Sequence, residues 1–135
     1  MATFNPYDQY INVKFNTADQ GALILMTFDG AIRFCQKAEE MLKRGDNIGK
    51  GKWLTQAFDA VAELRKSLRP DIGGEIAVQL SRTYEFVCHQ ITLANVFNRL
   101  ENLNNAMTVL IKLRHTWHEI IQEKRQAAAS AGLIG

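Results

Sequence analysis

Three histidines with carboxylates at helical spacing are the residues best suited to binding a metal. His115 and His118 are three residues apart with Glu119 directly after them, and His89 follows Glu85 by four residues. Helical bundles that hold metals use inward-facing Glu and Glu-x-x-His pairs from facing helices, and this chain does not repeat that spacing. Exposed or hydrogen-bonded histidines are therefore favoured, and we expect no metal and no other cofactor.

Side-chain sets for nucleophilic catalysis are equally hard to find. No Ser-His-Asp or Cys-His motif is readable, and no glycine-rich loop follows a strand. Asp29 and Arg33 are four residues apart, which predicts an ion pair within one helix. Cys35 and Cys88 lie inside helical patterns, where cysteine usually packs as a small apolar residue. The sequence therefore indicates a binding protein, with an enzyme or metal carrier as the less favoured class.

Composition gives the broad class of protein. The 135 residues are enough for one domain, and the formal net charge of +2 does not indicate nucleic-acid binding. No apolar run approaches the length that spans a membrane. Residues 1–15 lack the pattern of a signal peptide, so we expect a cytoplasmic protein with reduced thiols.

Four helical patterns joined by short connections predict an all-α protein. The predicted helices cover residues 17–44, 51–68, 71–98 and 100–125. We expect an antiparallel up-down-up-down four-helix bundle over residues 17–125, an irregular arm over 1–16 and a flexible tail over 126–135. The predicted core stripes of the first three helices are Leu25, Phe28, Ile32, Cys35 and Leu42; Leu54, Phe58, Val61, Leu64 and Leu68; and Ile76, Leu80, Tyr84, Val87, Ile91 and Ala94.

The fourth helix has more apolar residues than one buried stripe uses. One stripe is Leu100, Leu103, Met107, Leu110, Trp117 and Ile121, and a second is Ala106, Val109, Leu113 and Ile120. The surplus predicts a fully surrounded helix, a self-association seam or an open groove for a partner. A short chain makes complete burial the hardest of these. Which stripe faces the core stays open.

The arm and the second helix offer further apolar residues. Pro6, Tyr7 and Tyr10 stand in the arm, where the tyrosines either complete the core or cover the surplus stripe as a removable lid. Trp53, Ala57 and Ala60 lie beside the core stripe of the second helix, where they are candidates for another wall of the groove. Tryptophan is more often a core residue than a binding centre, although it is enriched at binding centres.

An ordered set of short motifs resembles a known family. The set is Asn5-Pro6-Tyr7 with Tyr10, Thr17-Ala18, Asp29-Gly30-Ala31-Ile32-Arg33, Gly73-Gly74-Glu75-Ile76-Ala77, Ala94-Asn95, and Leu113-Arg114 with Trp117. In this order the motifs resemble the FliS-type flagellin export chaperones of bacteria. The resemblance covers nearly the whole chain, from about residue 5 to residue 121.

The resemblance implies a four-helix bundle that binds the C-terminal helical segment of flagellin, prevents premature polymerisation and delivers the subunit to the flagellar export gate. It also implies an N-terminal arm that occupies the groove until flagellin displaces it. Other flagellar regulators remain open as further partners.

The predicted function is therefore a non-enzymatic cytoplasmic chaperone. Its predicted groove is formed by Trp53, Ala57, Ala60, Ala106, Val109, Leu113 and Ile120, capped by Pro6, Tyr7 and Tyr10. The alternative is a self-associating helical-bundle adaptor or regulator, in which the surplus stripe is a dimer seam.

Overall fold

The computed structural model describes residues 17–134, apart from the side chains of residues 17–19, 70, 72 and 133–134. These residues form four helices: α1 (Thr17–Arg44), α2 (Asn47–Lys66), α3 (Pro70–Phe97) and α4 (Leu100–Ile134). No strand occurs between residues 17 and 134, which confirms the all-α prediction. The predicted arm with Pro6, Tyr7 and Tyr10 lies outside the described residues.

Each helix packs mainly against two neighbours. Helix α1 contacts α2 and α4, and α3 contacts the same two helices, so α1 and α3 are diagonal to each other and α2 is diagonal to α4. Because the connecting turns are short, neighbouring helices run in opposite directions. The predicted antiparallel four-helix bundle is confirmed.

Two predicted helix ends are wrong. Helix α2 begins at Asn47 instead of Gly51, because Asp46 caps it by accepting a hydrogen bond from the Gly49 amide at 2.9 Å. Helix α4 continues to Ile134 instead of ending near Arg125. Its alanine-rich end has high helix propensity, and residues 122–132 are exposed.

The core is built from small and large apolar residues of all four helices. Its most deeply buried members include Phe28, Cys35, Leu54, Ala57, Val61, Tyr84, Val87, Ile91, Leu103 and Leu110. Phe58 and Ile76, both predicted to face the core, are 38% and 67% exposed. Their neighbours Ala57 and Ala77 are buried instead. One residue corresponds to about 100° around a helix, so this difference turns the larger side chain away from the core.

The core face of α4 combines both predicted stripes. Leu103, Leu110 and Ile121 of the first stripe are buried, and so are Ala106 and Leu113 of the second. Helix α4 has a neighbour on each side, so a wide sector of its surface is covered. Among its remaining apolar residues Leu100, Met107, Val109, Trp117 and Ile120 are half-buried, and Ile111 is exposed.

Two buried polar side chains hold the end of the bundle where α2 and α4 begin. The Lys50 ammonium donates to the Asn95 carbonyl oxygen at 2.8 Å and to the Asn98 side-chain oxygen. Asn98 has a left-handed backbone with φ 54° and ends α3, so the lysine also meets the negative end of the helix dipole. The Gln90 side-chain oxygen accepts hydrogen bonds from Asn102 and Asn105 of α4.

Candidate partner-binding surfaces

Three of the seven predicted groove residues belong to the core. Ala57 and Ala106 are 0% exposed and Leu113 is 9% exposed. Their side chains pack inside the four-helix cluster, so they offer almost no surface in this conformation. The covered sector of each helix is wider than the single stripe assumed from the sequence, so these three side chains face the core here, and their contact with a partner stays a prediction.

Trp53 and Ala60 lie on the side of α2 that faces α1. The indole ring of Trp53 stacks on the Phe34 ring of α1, with 5.9 Å between centroids, and the Lys52 ammonium lies 5.1 Å from the Trp53 ring centroid. Ala60 follows Trp53 by two helical turns and shares this side. Since α2 is diagonal to α4, these residues cannot form one groove with Val109 and Ile120.

Val109 and Ile120 lie on the side of α4 that faces α3. The register of this helix pair is fixed by the hydrogen bond from Asn105 to Gln90 and by the bond from the Trp117 indole nitrogen to the Tyr84 hydroxyl oxygen at 2.8 Å. Val109 follows Asn105 by one turn, and Ile120 follows Val109 by about three turns. Both side chains are half-buried.

Helix α3 adds aromatic residues that the sequence analysis missed. Phe86 precedes Gln90 by one turn, which places it at the level of Val109, and it is 46% exposed. Leu93 and Phe97 follow Phe86 at seven and eleven residues, so they share its side of the helix. The signal was their helical spacing outside the stripe assigned to the core. We call Phe86, Leu93, Phe97, Val109 and Ile120 together the α3–α4 surface.

A second open feature, the α2–α3 groove, runs along the other side of α3. Its volume is about 630 Å³, and its lining residues are Phe58, Ala62, Arg65, Lys66, Ser81, Glu85, Cys88, His89 and Thr92. The Arg65 guanidinium crosses the groove to Glu85 at 2.7 Å and to the Ser81 hydroxyl at 3.0 Å. Burial raises the pKa of the Cys88 thiol, with Arg65 opposing the shift, so the thiol is neutral at pH 7.

The junction between α1 and α4 is closed by an ion pair that the sequence assigned differently. Asp29 binds Arg114 of α4, with 2.5 Å between the carboxylate oxygen and Nε, instead of the predicted Arg33 of its own helix. The hydrogen bond to Asp29 raises the pKa of the Arg114 guanidinium. Arg33 lies 6.0 Å from the Phe34 ring centroid. The pair joins two helices instead of successive turns.

The histidines do not converge on a metal centre. Among the residues that the structure describes, no three His, Cys, Asp or Glu side chains come together as possible ligands. His115 instead lies 3.0 Å from Glu119 on the same helix. None of the described helices is long and apolar enough to cross a membrane.

Comparison with known proteins identifies the family. The family model described as flagellar protein FliS matches residues 3–124, which covers most of the chain. This chain belongs to the FliS family. The match includes the arm residues Pro6, Tyr7 and Tyr10 and most of the bundle, and it stops ten residues before α4 ends at Ile134. The resemblance found in the motifs is confirmed.

Curated relatives in the FliS family match over nearly the whole length. The flagellar secretion chaperone FliS of Bacillus subtilis is 28% identical over 134 residues, covering 99% of each chain. The protein of the same name from Salmonella typhimurium is 30% identical over 125 residues, covering 89% of this chain and 93% of the relative. The Vibrio cholerae relative is 27% identical over 120 residues, covering 89% of this chain and 88% of its own.

Proposed function

We propose that this FliS-family chain is a cytosolic chaperone that binds the C-terminal helical segment of flagellin. It covers that segment, prevents premature polymerisation and delivers the subunit to the flagellar export gate. The names of the curated relatives support a role in flagellar secretion. The choice of flagellin is supported by the fit between an amphipathic helical segment and an apolar surface along a helix pair.

The observation that carries the proposal is the α3–α4 surface. Phe86 is 46% exposed at the level of half-buried Val109, and Phe97 is 55% exposed at the end of the bundle where α4 begins. Half-buried Ile120 lies about three turns beyond Val109 on the same side of α4. A monomeric protein rarely leaves aromatic rings exposed in a row unless a partner covers them. Aromatic side chains are also enriched among the residues that dominate binding energy.

The geometry favours a helix as the bound form. Phe86, Leu93 and Phe97 recur at seven and four residues, so they form a row parallel to the axis of α3. A partner helix with apolar residues at three- and four-residue intervals can lie along this row. Because a segment that becomes ordered on binding loses conformational entropy, it needs a long apolar surface to bind stably.

The proposed role of the N-terminal arm is to cover the same surface before flagellin arrives. Tyr7 and Tyr10 are the cap residues, with Pro6 limiting the arm's backbone. An arm that competes with flagellin lowers the population of the binding-competent state. Deleting residues 1–10 therefore leaves flagellin affinity unchanged or raises it. A large loss of affinity with an intact fold would instead make the arm part of the binding site.

The proposed function requires binding and release without catalysis. No covalent step is needed to cover an apolar segment, so the proposal includes no enzymatic activity and no cofactor. The Ala57, Ala106 and Leu113 side chains act in this scheme by supporting the core beneath the surface. Other flagellar regulators are candidates for the same surface, and competition with flagellin would reveal them.

Paired substitutions in α4 test the proposal. Val109→Asp places a charge on the α3–α4 surface, whereas Ile111→Asp places it on an exposed position nearer α1, where Ile111 is 54% exposed. We expect Val109→Asp to weaken binding of a flagellin C-terminal peptide by about thirtyfold, and Ile111→Asp to change it less than about twofold. Calorimetric titration measures both, and circular dichroism checks the fold. Equal affinities for the two variants would contradict the assignment.

The alternative function is self-association through the same exposed aromatics. A dimer seam would bury Phe86 and Phe97 against a second copy. Sedimentation of the purified protein separates the two functions. A monomer that forms a one-to-one complex with flagellin supports the chaperone, and a tight dimer that persists with flagellin present supports the adaptor.

A further inference from the structure

The α2–α3 groove lies on a different side of α3 from the α3–α4 surface. Cys88 and Thr92 line the groove, whereas Phe86 and Leu93 belong to the α3–α4 surface. The floor is formed by small side chains, including Ala62, Ser81 and Cys88. Small side chains leave room for the backbone of a partner helix to approach, and grooves between bundle helices are common binding sites.

Apolar side chains mark the centre and the ends of this groove. Phe58 lies in its wall and is 38% exposed. Val78 precedes Ser81 by about one turn and is 42% exposed, and Val96 follows Thr92 by one turn and is 63% exposed. Residues 78 to 96 of a helix span about 27 Å. The α3 side of the groove itself runs from Ser81 to Thr92, about three helical turns, and Val78 and Val96 lie just beyond its two ends.

The α2–α3 groove carries one more positive side chain than its own carboxylate can pair with. Arg65 is paired with Glu85, and Lys66 is exposed beside them. None of the ion pairs found among the described residues includes the Lys66 ammonium. An acidic residue of a partner would meet Lys66 at this end, whereas a basic residue would be repelled.

We propose that the α2–α3 groove is a second docking site, which binds an acidic amphipathic helix of a partner protein. The apolar face of that helix covers Phe58 and Ala62, and a carboxylate at one end pairs with Lys66. The two sites flank α3 on its α2 and α4 sides, so the proposal predicts that this partner and the flagellin segment can bind at the same time. The chain then acts as an adaptor as well as a chaperone.

Cys88 gives a direct measure of occupancy, because its half-buried thiol lines the groove. Cys35 is fully buried, and burial raises the pKa of its thiol to about 12, so it serves as the unreactive reference. The probe is a synthetic helical peptide of about 18 residues with a leucine and alanine face and two glutamates in one terminal turn. A second peptide carries lysines in place of the glutamates.

We expect the acidic peptide to slow alkylation of Cys88 and to bind about fivefold more tightly than the lysine peptide. Lys66→Glu should reverse this preference, whereas the matched substitution Lys37→Glu on α1 should leave it unchanged. Ala62→Trp fills the groove and should remove the protection. If Ala62→Trp fails to fold, the Lys66→Glu result still decides whether charge selects the peptide.

Four results would overturn the second docking site. The first is that neither peptide protects Cys88 from alkylation, and the second is that both peptides protect it equally. Protection that rises with protein concentration alone would make the occupant a second copy of the chain. Protection of Cys88 by a flagellin C-terminal peptide would assign the groove to flagellin. A chain that fails to bind flagellin but still binds the acidic peptide would contradict the chaperone proposal alone.

Discussion

Helices α1 and α3 lie diagonally across the core but differ at their edges. Helix α1 meets α2 through the Phe34–Trp53 stack and α4 through the Asp29–Arg114 pair. At Gly21 an added Cβ would come within 2.6 Å of an Ile121 methyl carbon. Helix α3 instead has exposed Phe86 toward α4 and an open groove toward α2.

The difference shows that a helix surface stays exposed where side chains of the neighbouring helix do not cover it. The number of apolar residues on the helix matters less. Helix α4 has apolar residues toward both neighbours. Its α1 edge is joined by complementary charges and a close glycine contact, whereas its α3 edge carries half-buried Val109 and Ile120. Both proposed binding surfaces therefore border α3.

The largest expected effect compares two phenylalanines in these regions. Phe28 of α1 is 0% exposed and contacts the Tyr84 ring with 6.2 Å between centroids. Phe28→Ala should lower the free energy of unfolding by about 3–5 kcal/mol because it leaves a cavity, and Phe86→Ala by less than about 1 kcal/mol. Urea denaturation measures both. Equal losses would remove the distinction between the closed and the open helix.

For flagellin binding, in contrast to stability, substitutions on α3 should have a larger effect than substitutions on α1. Phe86→Ala should weaken flagellin peptide binding by about tenfold, because an aromatic anchor of the α3–α4 surface is lost. Met26→Ala is the control, since Met26 is 66% exposed on α1 and should change the affinity little. Fluorescence anisotropy with a labelled peptide measures both variants. A larger effect from Met26→Ala would move the binding surface to α1.

The two cysteines extend the comparison to pH. Burial raises the pKa of the Cys35 thiol from 9.0 to about 12, so above pH 9 the unfolded chain loses this proton while the folded chain keeps it. Stability should therefore fall between pH 9 and 12 by at most about 1.4 kcal/mol per pH unit from this group. Cys35→Ala should flatten the decline, and Cys88→Ala should flatten it less. Unfolding curves at pH 8, 9 and 10 measure the slopes.

The smallest expected effect concerns the ion pair that closes the α1 edge. Asp29 and Arg114 are 49% and 36% exposed, so solvent screens their attraction. A double-mutant cycle with Asp29→Asn and Arg114→Gln should give a coupling of about 0.5–1 kcal/mol that decreases in high salt. A coupling near zero would mean that close packing, for example at Gly21, holds this edge without the charges.

The four-helix bundle could be predicted because helical periodicity and turn residues are visible among residues that are close in the sequence. The end of α1 at Arg44 follows from Gly45, whose φ is 76°, and this end was predicted correctly. It was harder to predict which side of each helix faces the core. Where an alanine is next to a phenylalanine, both are apolar, so the sequence does not say which of the two is buried. Ala57 and Phe58 exchanged places relative to the prediction for that reason.

The site was only partly predictable for a related reason. Val109 and Ile120 were predicted as groove residues from their helical spacing on α4 and stay a prediction, whereas placing Phe86 beside Val109 depends on the register between α3 and α4. That register is fixed by Gln90, Asn105 and the Trp117–Tyr84 hydrogen bond, which no single-helix pattern contains. Trp53 was grouped with them because a sequence does not say which helices are diagonal.

Methyl NMR tests the central claim most directly, because α4 carries labelled probes on both of its edges. On adding a flagellin C-terminal peptide, the methyl signals of Val109 and Ile120 should shift or broaden, whereas the Ile111 signal should stay in place. Shifts at Ile111 with unchanged Val109 and Ile120 signals would contradict the account.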